Sequence, residues 1–394
     1  MRKTTALMMM AVAVLTTAPA VAGVPLRRVD RTLNVQKQNT TCCQTELGWD
    51  EQIWGESGQS GDKYALLTSI DHSLRYIKTP AAAKVYRRYN GTGITRDRVR
   101  RSLERFRQLV VWSQSPAELQ AAVAREFVFY QSTGSDGKGD VLYTAYYEPI
   151  YQASRVPTAE FRYPLYRLPT NFKSWRKPHP TRQELEGKDG LLGNKSKLKG
   201  LEIVWLRDRL EAFLVQIQGS ARLQLPDGKT ISVGFAGKTD YPYTSIGKEL
   251  AKDGKLPLAG LTLPVMIDYF TRYPTELDNY LPRNRGFVFF RETGGAPAIG
   301  SLGVPVTADR SIATDKSLMP PGALALIHTQ LPFLNRFSGA MEYRQVSRYV
   351  LDQDTGGAIK GPGRVDYFMG TGKLAGDRAG VTGNRGHLYY LLLK

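Results

Sequence analysis

The sequence predicts a mainly β (α+β) protein in two parts, one of them inserted into the other, and three observations carry that expectation. From Lys63 to Tyr130 the pattern is helical. Most of the chain beyond Tyr130 reads as short aromatic and β-branched runs separated by turn residues. A glycine-rich stretch, "ETGGAPAIGSLGVP", parts two β-rich portions as a linker or crossover would, and 394 residues suit two domains better than one.

Taken in order, the chain begins with Arg2 and Lys3, the apolar run "ALMMMAVAVL" and small residues ending Ala20-Val21-Ala22. That layout is a secretory signal over residues 1–22, cut after Ala22. The run falls short of the ~20 apolar residues that a membrane span needs, and no later stretch reaches that length. A soluble product outside the cytoplasm, with no transmembrane segment, is expected. The only cysteines, Cys42 and Cys43, lie far downstream of the cleavage site, so a lipid-anchoring cysteine directly after the signal is lacking. They make no disulfide framework and no cysteine zinc site, and none of the four histidines is spaced as a ligand pair. Neither a metal nor a cofactor is expected.

Residues 23–60 are polar and without periodicity. In "ALLTSIDHSLRYI", Leu66, Ile70, Leu74 and Ile77 share one helical face. "SPAELQAAVAREFVFY" opens with a Ser-Pro start and has Glu118 in its first turn. A lone histidine in such a helix, His72, reads as structural. After the turn at "STGSDGKGD", Val141 to Tyr147 predicts a strand, followed by strands at "RYPLYRLP" and "LEIVWLRD". "AFLVQIQGSARLQLPDGKTISVGFAG" reads as a hairpin turning at "LPDGK". "TSIGKELAKDG" and "TLPVMIDYFTRYPTELDNYL" supply helices, the first ended by glycine. "GFVFFRE", "GALALIHTQLP", "YRQVSRYVLDQD", "GRVDYFMG" and "GHLYYLLLK" are strands.

The formal charge is +18, or +16 once Arg2 and Lys3 are removed. For an exported protein with scattered basic residues this favours an acidic extracytoplasmic polymer, such as cell-wall glycan, over nucleic acid. A Gly-x-Ser-x-Gly elbow is absent, no Cys–His pair is available, and "GTGKLAG" lacks the spacing of a phosphate loop and the buried parallel strand that should precede one. Carboxylates remain: Asp309, Asp315, Asp352, Asp354, Asp366 and Asp377. Asp366 alternates with Val365 and Tyr367; if those two point inward, Asp366 faces the opposite side of the sheet. Desolvation beside Tyr367 and Phe368 would raise its pKa toward the protonated form that acid catalysis requires. The competing reading is turn capping, for which aspartate is well suited. Tyrosines in "YTAYYEPIYQ" and polar groups in "QIQGSARL" suit sugar stacking and hydroxyl recognition, although Tyr and Thr also simply favour strands.

The motifs "TAYYEP", "VQIQGSARL", "SIGKEL", "ATDKSLMPPG", "DTGGAIKGPGRVDYFMGTG" and "AGDRAG" occur in order from about residue 65 to the C-terminus. Together they resemble the MltA-type lytic murein transglycosylases, with a C-terminal 3D domain named for three aspartates. The resemblance implies a double-psi β-barrel domain, here residues 23–148 with 296–394, and a smaller β domain, 149–295, inserted to leave a groove. The three aspartates match Asp315, Asp354 and Asp366, with Asp366 as sole acid/base and the other two supporting it. Thr144, Tyr146, Tyr147, Gln218, Gly219 and Ser220 fall on groove-lining motifs, as glycan contacts. The implied reaction cleaves the β-1,4 bond between N-acetylmuramic acid and N-acetylglucosamine without water, giving 1,6-anhydromuramyl ends. The alternatives are a hydrolase using Asp354 or Asp315 as second carboxylate, and a non-catalytic wall-binding protein. Peptidoglycan strands are the expected partner, with cell-wall synthesis or division proteins as further candidates, for a soluble periplasmic enzyme whose only hold on the cell wall or outer membrane is peripheral.

Overall fold

A computed structural model describes residues 24–29, 47–55, 60–89 and 91–394. The signal-like residues 1–22 and both cysteines lie outside the described residues.

The first sheet begins with β1 (Leu26–Val29), antiparallel to β2 (Phe127–Ser132). Between them come α1 (Lys63–Ile77), α2 (Pro80–Tyr86), α3 (Arg96–Trp112) and α4 (Pro116–Glu126). Side chains of Thr79, Thr95 and Ser115 cap α2, α3 and α4, satisfying first-turn amides. The apolar faces of α1 and α3, including Leu66, Ile70, Val99 and Phe106, join the core of the first sheet. Two expectations fail in this region. Residues 23–60 contain β1, and the helix expected to run through Tyr130 stops at Glu126, because "FVFY" pairs as β2 with β14 and β1.

β3 (Val141–Glu148) leads at Pro149 into a second sheet. Its elements are β4 (Ile150–Ser154), β5 (Tyr163–Tyr166), α5 (Arg182–Glu186), β6 (Glu202–Leu206), α6 (Arg209–Gln218), β7 (Ser220–Gln224) and β8 (Thr230–Lys238). After β8 come α7 (Ile246–Lys252), α8 (Leu263–Arg272), α9 (Leu277–Tyr280) and β9 (Val288–Glu292). The strand order is β5-β6-β4-β7-β8-β9. The hairpin β7–β8 forms as expected at "LPDGK", but its first half does not. "AFLVQIQ" is the helix α6, capped by Asp208, which accepts from the amides of Leu210 and Glu211, and ended by Gly219 at φ 84°.

The chain returns to the first sheet through β10 (Ser311–Ala313), β11 (Leu324–Leu334), β12 (Met341–Asp354) and β13 (Arg364–Thr371), then α10 (Lys373–Val381) and β14 (Arg385–Leu393). The order β14-β11-β12-β10-β13-β3, with β3 pairing again with β14, closes a six-stranded barrel. Closure leaves these six strands without a free edge. Two pairings are parallel, β10 with β12 and β13 with β3. The "GTGKLAG" stretch therefore does lie after a buried strand in parallel pairing and opens a helix, contrary to expectation. Its glycine spacing remains wrong for phosphate.

Candidate active site

β13 and β3 run side by side in register, Asp366 opposite Thr144 and Phe368 opposite Tyr146. Val365 and Tyr367 point into the barrel and are fully buried, so the two-residue period turns Asp366 to the other face, where it is half-buried. Thr144 Oγ1 donates to Asp366 Oδ1 at 2.6 Å. Burial is the largest influence on this carboxyl. The Thr144 hydrogen bond and the Arg364 charge oppose it, the Asp354 charge reinforces it, and the pKa is raised to about 6.

Asp354 stands at the end of β12. The short strand β10 brings it close to Asp366, since Ala313 is paired with Asp354 on one side and Asp366 on the other. The Asp354 carboxyl is committed to the fold. Oδ1 accepts from the amides of Ser301 (2.7 Å) and Thr355 (2.8 Å), and Oδ2 accepts from the Tyr146 hydroxyl (2.9 Å). Burial raises its pKa, and those bonds work against the rise. Tyr146 also packs on Phe368, ring centroids 5.1 Å apart, so it orders Asp354 and braces the strand that carries Asp366.

Asp315 has a different setting. Its Oδ1 accepts from the Ser317 hydroxyl (2.6 Å) and amide (3.0 Å), while Oδ2 accepts from the Gly361 amide (2.9 Å). Burial pushes this carboxyl up, but the bonds from Ser317 and Gly361 outweigh it and hold the pKa below the usual value. Asp315 thereby pins the turn from which β13 departs. Asp352, not matched to the three aspartates, is fully buried and bonded to Lys316, Thr314 and Tyr390. Asp309 pairs with Arg378 of α10, and Asp377 with Lys373 on the same helix.

The remaining expected contacts lie where the two sheets meet. The Tyr147 amide donates to Gln218 Oε1 at 3.0 Å, tying β3 to the end of α6. The Tyr147 ring rests on α10, where an added Cβ at Gly376 would come within 2.8 Å of it. Gly219 makes the turn out of α6 and Ser220 opens β7, largely buried. Thr144 and Tyr146 are thus beside the carboxyls, whereas Tyr147, Gln218, Gly219 and Ser220 form the junction.

Two groups not singled out by the sequence come from beyond β7, Tyr243, whose hydroxyl feels the Asp366 charge, and Lys238 at the end of β8, which meets the Gly357 loop beside Tyr243. An ideal Cβ at Gly357 would lie 3.4 Å from Lys238 Nζ and 3.6 Å from Tyr243 Cβ. Burial raises the pKa of Tyr243 and the Asp366 charge adds to it, whereas Ser245 and Arg364 lower it. Nothing local in "GKTDYPYTS" marks these residues, because their partners are more than a hundred positions away. Among the described residues, no group of three His, Cys, Asp or Glu side chains could hold a metal ion.

Comparison with known proteins places this arrangement. The family model described as the MltA specific insert domain matches residues 142–291, and that of the 3D domain matches 310–392. A "Membrane-bound lytic murein transglycosylase A homolog" of Buchnera aphidicola is 31% identical over 288 residues, covering 73% of this chain and 75% of that protein. The crystal structure of a membrane-bound lytic murein transglycosylase from Agrobacterium tumefaciens superposes with a TM-score of 0.64 at 29% identity, covering 80% of this chain and 91% of the other. E. coli MltA with bound chitohexaose gives 0.64 at 25% identity, with 83% and 90% covered. With its closed barrel and the interposed second sheet, the chain belongs to the MltA family of lytic murein transglycosylases, lyases that act on peptidoglycan.

Proposed function

We propose that the enzyme cleaves the β-1,4 bond between N-acetylmuramic acid and N-acetylglucosamine by using Asp366 first as acid and then as base. The supporting observation is a single half-buried carboxyl, raised to about 6, whose nearest carboxylate neighbour is fully engaged elsewhere. Protonated Asp366 donates to the glycosidic oxygen as the bond breaks with oxocarbenium character. The resulting carboxylate takes the proton of the muramyl 6-hydroxyl as that oxygen attacks the anomeric carbon, closing a 1,6-anhydro ring. Both proton transfers use one group, so the carboxyl ends as it began. A hydrolase needs a second carboxylate to activate water or to attack. Asp354 accepts three hydrogen bonds and Asp315 is held among Ser317 and Gly361, which leaves neither poised for that role. An intramolecular hydroxyl replaces the water through proximity alone.

Chitohexaose bound to the E. coli relative supports a glycan strand as ligand here, lying between Asp366 and the wall formed by Tyr243 and Lys238. We place the enzyme in the cell envelope, where that polymer lies; its relatives are named membrane-bound. The deciding experiment is mass spectrometry of fragments released from purified sacculi. Anhydro ends from the wild type, with none from Asp366→Asn, are expected. Products heavier by one water would establish hydrolysis instead.

A further inference from the structure

Two cations, one beside Asp366 and one beside Tyr243, have no protein group to hold them among the described residues. Arg364 opens β13 two positions before Asp366, so both side chains leave the same face of the strand. It is half-buried, and among the described residues its guanidinium has no hydrogen-bond or ion-pair partner. Its charge nevertheless reaches both the Asp366 carboxyl and the Tyr243 hydroxyl. From the opposite sheet, Lys238 stands exposed beside Tyr243 and over Gly357, likewise without a partner among the described residues.

The unpaired guanidinium is informative because other arginines withdrawn from solvent among the described residues are paired. Arg310 binds Asp50 and Asp62, Arg378 and Arg348 share Asp309, and Arg222 binds Glu148. Partial burial of a guanidinium costs hydration that an anion restores, and its planar fork suits a carboxylate. The glycan itself supplies candidates. N-acetylmuramic acid carries a lactyl ether whose carboxylate is free in peptide-free strands, and stem peptides carry carboxylates of their own. N-acetylglucosamine oligomers carry none.

We propose that Arg364 and Lys238, one from each sheet, form an anion subsite beside Asp366 that takes a carboxylate of the muramyl-bearing strand. The proposal rests on the glycan-cleaving reading above and adds what distinguishes murein from a neutral chitin-like strand. The competing possibility is that the two cations only set the electrostatics of Asp366, which would affect every glycan alike.

The test measures binding rather than turnover, using the Asp366→Asn protein with and without Arg364→Gln, Lys238→Gln or both. The titrated ligands are chitohexaose, a peptide-free oligomer alternating N-acetylglucosamine and N-acetylmuramic acid, and the same oligomer bearing stem peptides. The ratio of affinities, acidic over neutral, should fall at least about tenfold in the double variant, as loss of charge-assisted bonds implies. Arg364→Lys, which keeps the charge and loses the fork, should recover part of it. A fall with the peptide-free oligomer identifies the lactyl carboxylate; a fall confined to the peptide-bearing one identifies the stem. A ratio that falls less than about tenfold for both ligands overturns the proposal. Lys238 is exposed, so its variant keeps the test readable if Arg364→Gln folds poorly. Absence of anhydro product from the wild type would remove the reaction assigned to Asp366, while the affinity ratio would still report on the subsite.

Discussion

A carboxyl that must give up a proton and then retrieve it works best with a pKa near the working pH. Burial moves Asp366 toward that range, and Thr144 and Arg364 keep it from moving further. In the proposed mechanism the first step needs the protonated form, so kcat/KM should fall as pH rises through about 6. Thr144→Val removes a donor that favours the ionised form, which raises the pKa. The alkaline limb should therefore move to higher pH, while the maximum drops because the carboxyl loses its orientation. Profiles of kcat/KM against pH settle this, and a limb that stays or moves down contradicts the role given to Thr144. The same shift costs stability. A folded pKa above the unfolded value gives stability that is complete below about 4 and is lost as pH rises through about 6. Asp366→Asn should thus unfold at higher urea concentration than wild type at about pH 8, by on the order of 1–2 kcal/mol after discounting for partial exposure, with little gain at about pH 4. Alternation with Val365 and Tyr367 made the facing of Asp366 legible in the sequence. Its bond to Thr144, and that of Asp354 to Tyr146, join residues more than 200 positions apart, and register of that kind leaves no local trace.

Elements that fit a simple period were readable, and those made by packing were not. The helix α10 contains Gly376 and Gly380, poor helix formers, and "GTGKLAGDRAG" suggests a loop. It forms because those glycines allow close approach to Tyr147 and Pro264, and because Arg378 anchors it to Asp309 at 2.9 Å. In α6, an alternating apolar pattern suggests a strand and outweighs the Asp208 cap and the closing Gly219, although both helix signals are present. β2 merges with α4 in the sequence because "EFVFY" continues an apolar run without a breaker. The anchor of α10 can be tested by charge alone. Asp309 has a φ of 57°, a conformation that asparagine tolerates, so Asp309→Asn removes the charge without straining the backbone. Two buried guanidinium groups, Arg378 and Arg348, would lose their counter-ion, and urea denaturation should show a loss of about 3–5 kcal/mol. Asp377→Ala, which breaks an exposed pair with Lys373 on the same helix, should change stability by less than about 0.5 kcal/mol. Equal effects of the two substitutions would show that the buried pair does not anchor the helix.

For the molecule as a whole, the two sheets are held together at a junction that passes through Glu148. This side chain, 1% exposed at the end of β3, accepts from Arg222 Nε of β7 (2.9 Å) and from Thr371 Oγ1 of β13 (2.8 Å). Its backbone carbonyl accepts from the Gly372 amide, and the carbonyl of the adjoining Pro149 accepts from the Arg222 amide. One residue therefore links the strand carrying Asp366, its neighbour β3 and the second sheet. Nothing in "YYEPI" announces this, since a glutamate before proline reads as an exposed turn. Glu148→Ala leaves Arg222 without its acceptor at the joint, at a cost of about 2–3 kcal/mol, toward the lower end for a buried pair because Arg222 is 30% exposed. Loosening the joint should affect catalysis more than this loss of stability accounts for, since misplacement of about 1 Å can cost about a hundredfold in rate. Well below the melting temperature, kcat/KM on sacculi should fall by more than about tenfold. Glu148→Gln keeps an acceptor for Arg222 or Thr371 and should recover part of that loss. If Glu148→Ala melts earlier but cleaves at the wild-type rate while folded, Glu148 serves stability alone and the alignment of the groove resides elsewhere, in the Tyr147–Gln218 bond or in the packing of α10 on β3.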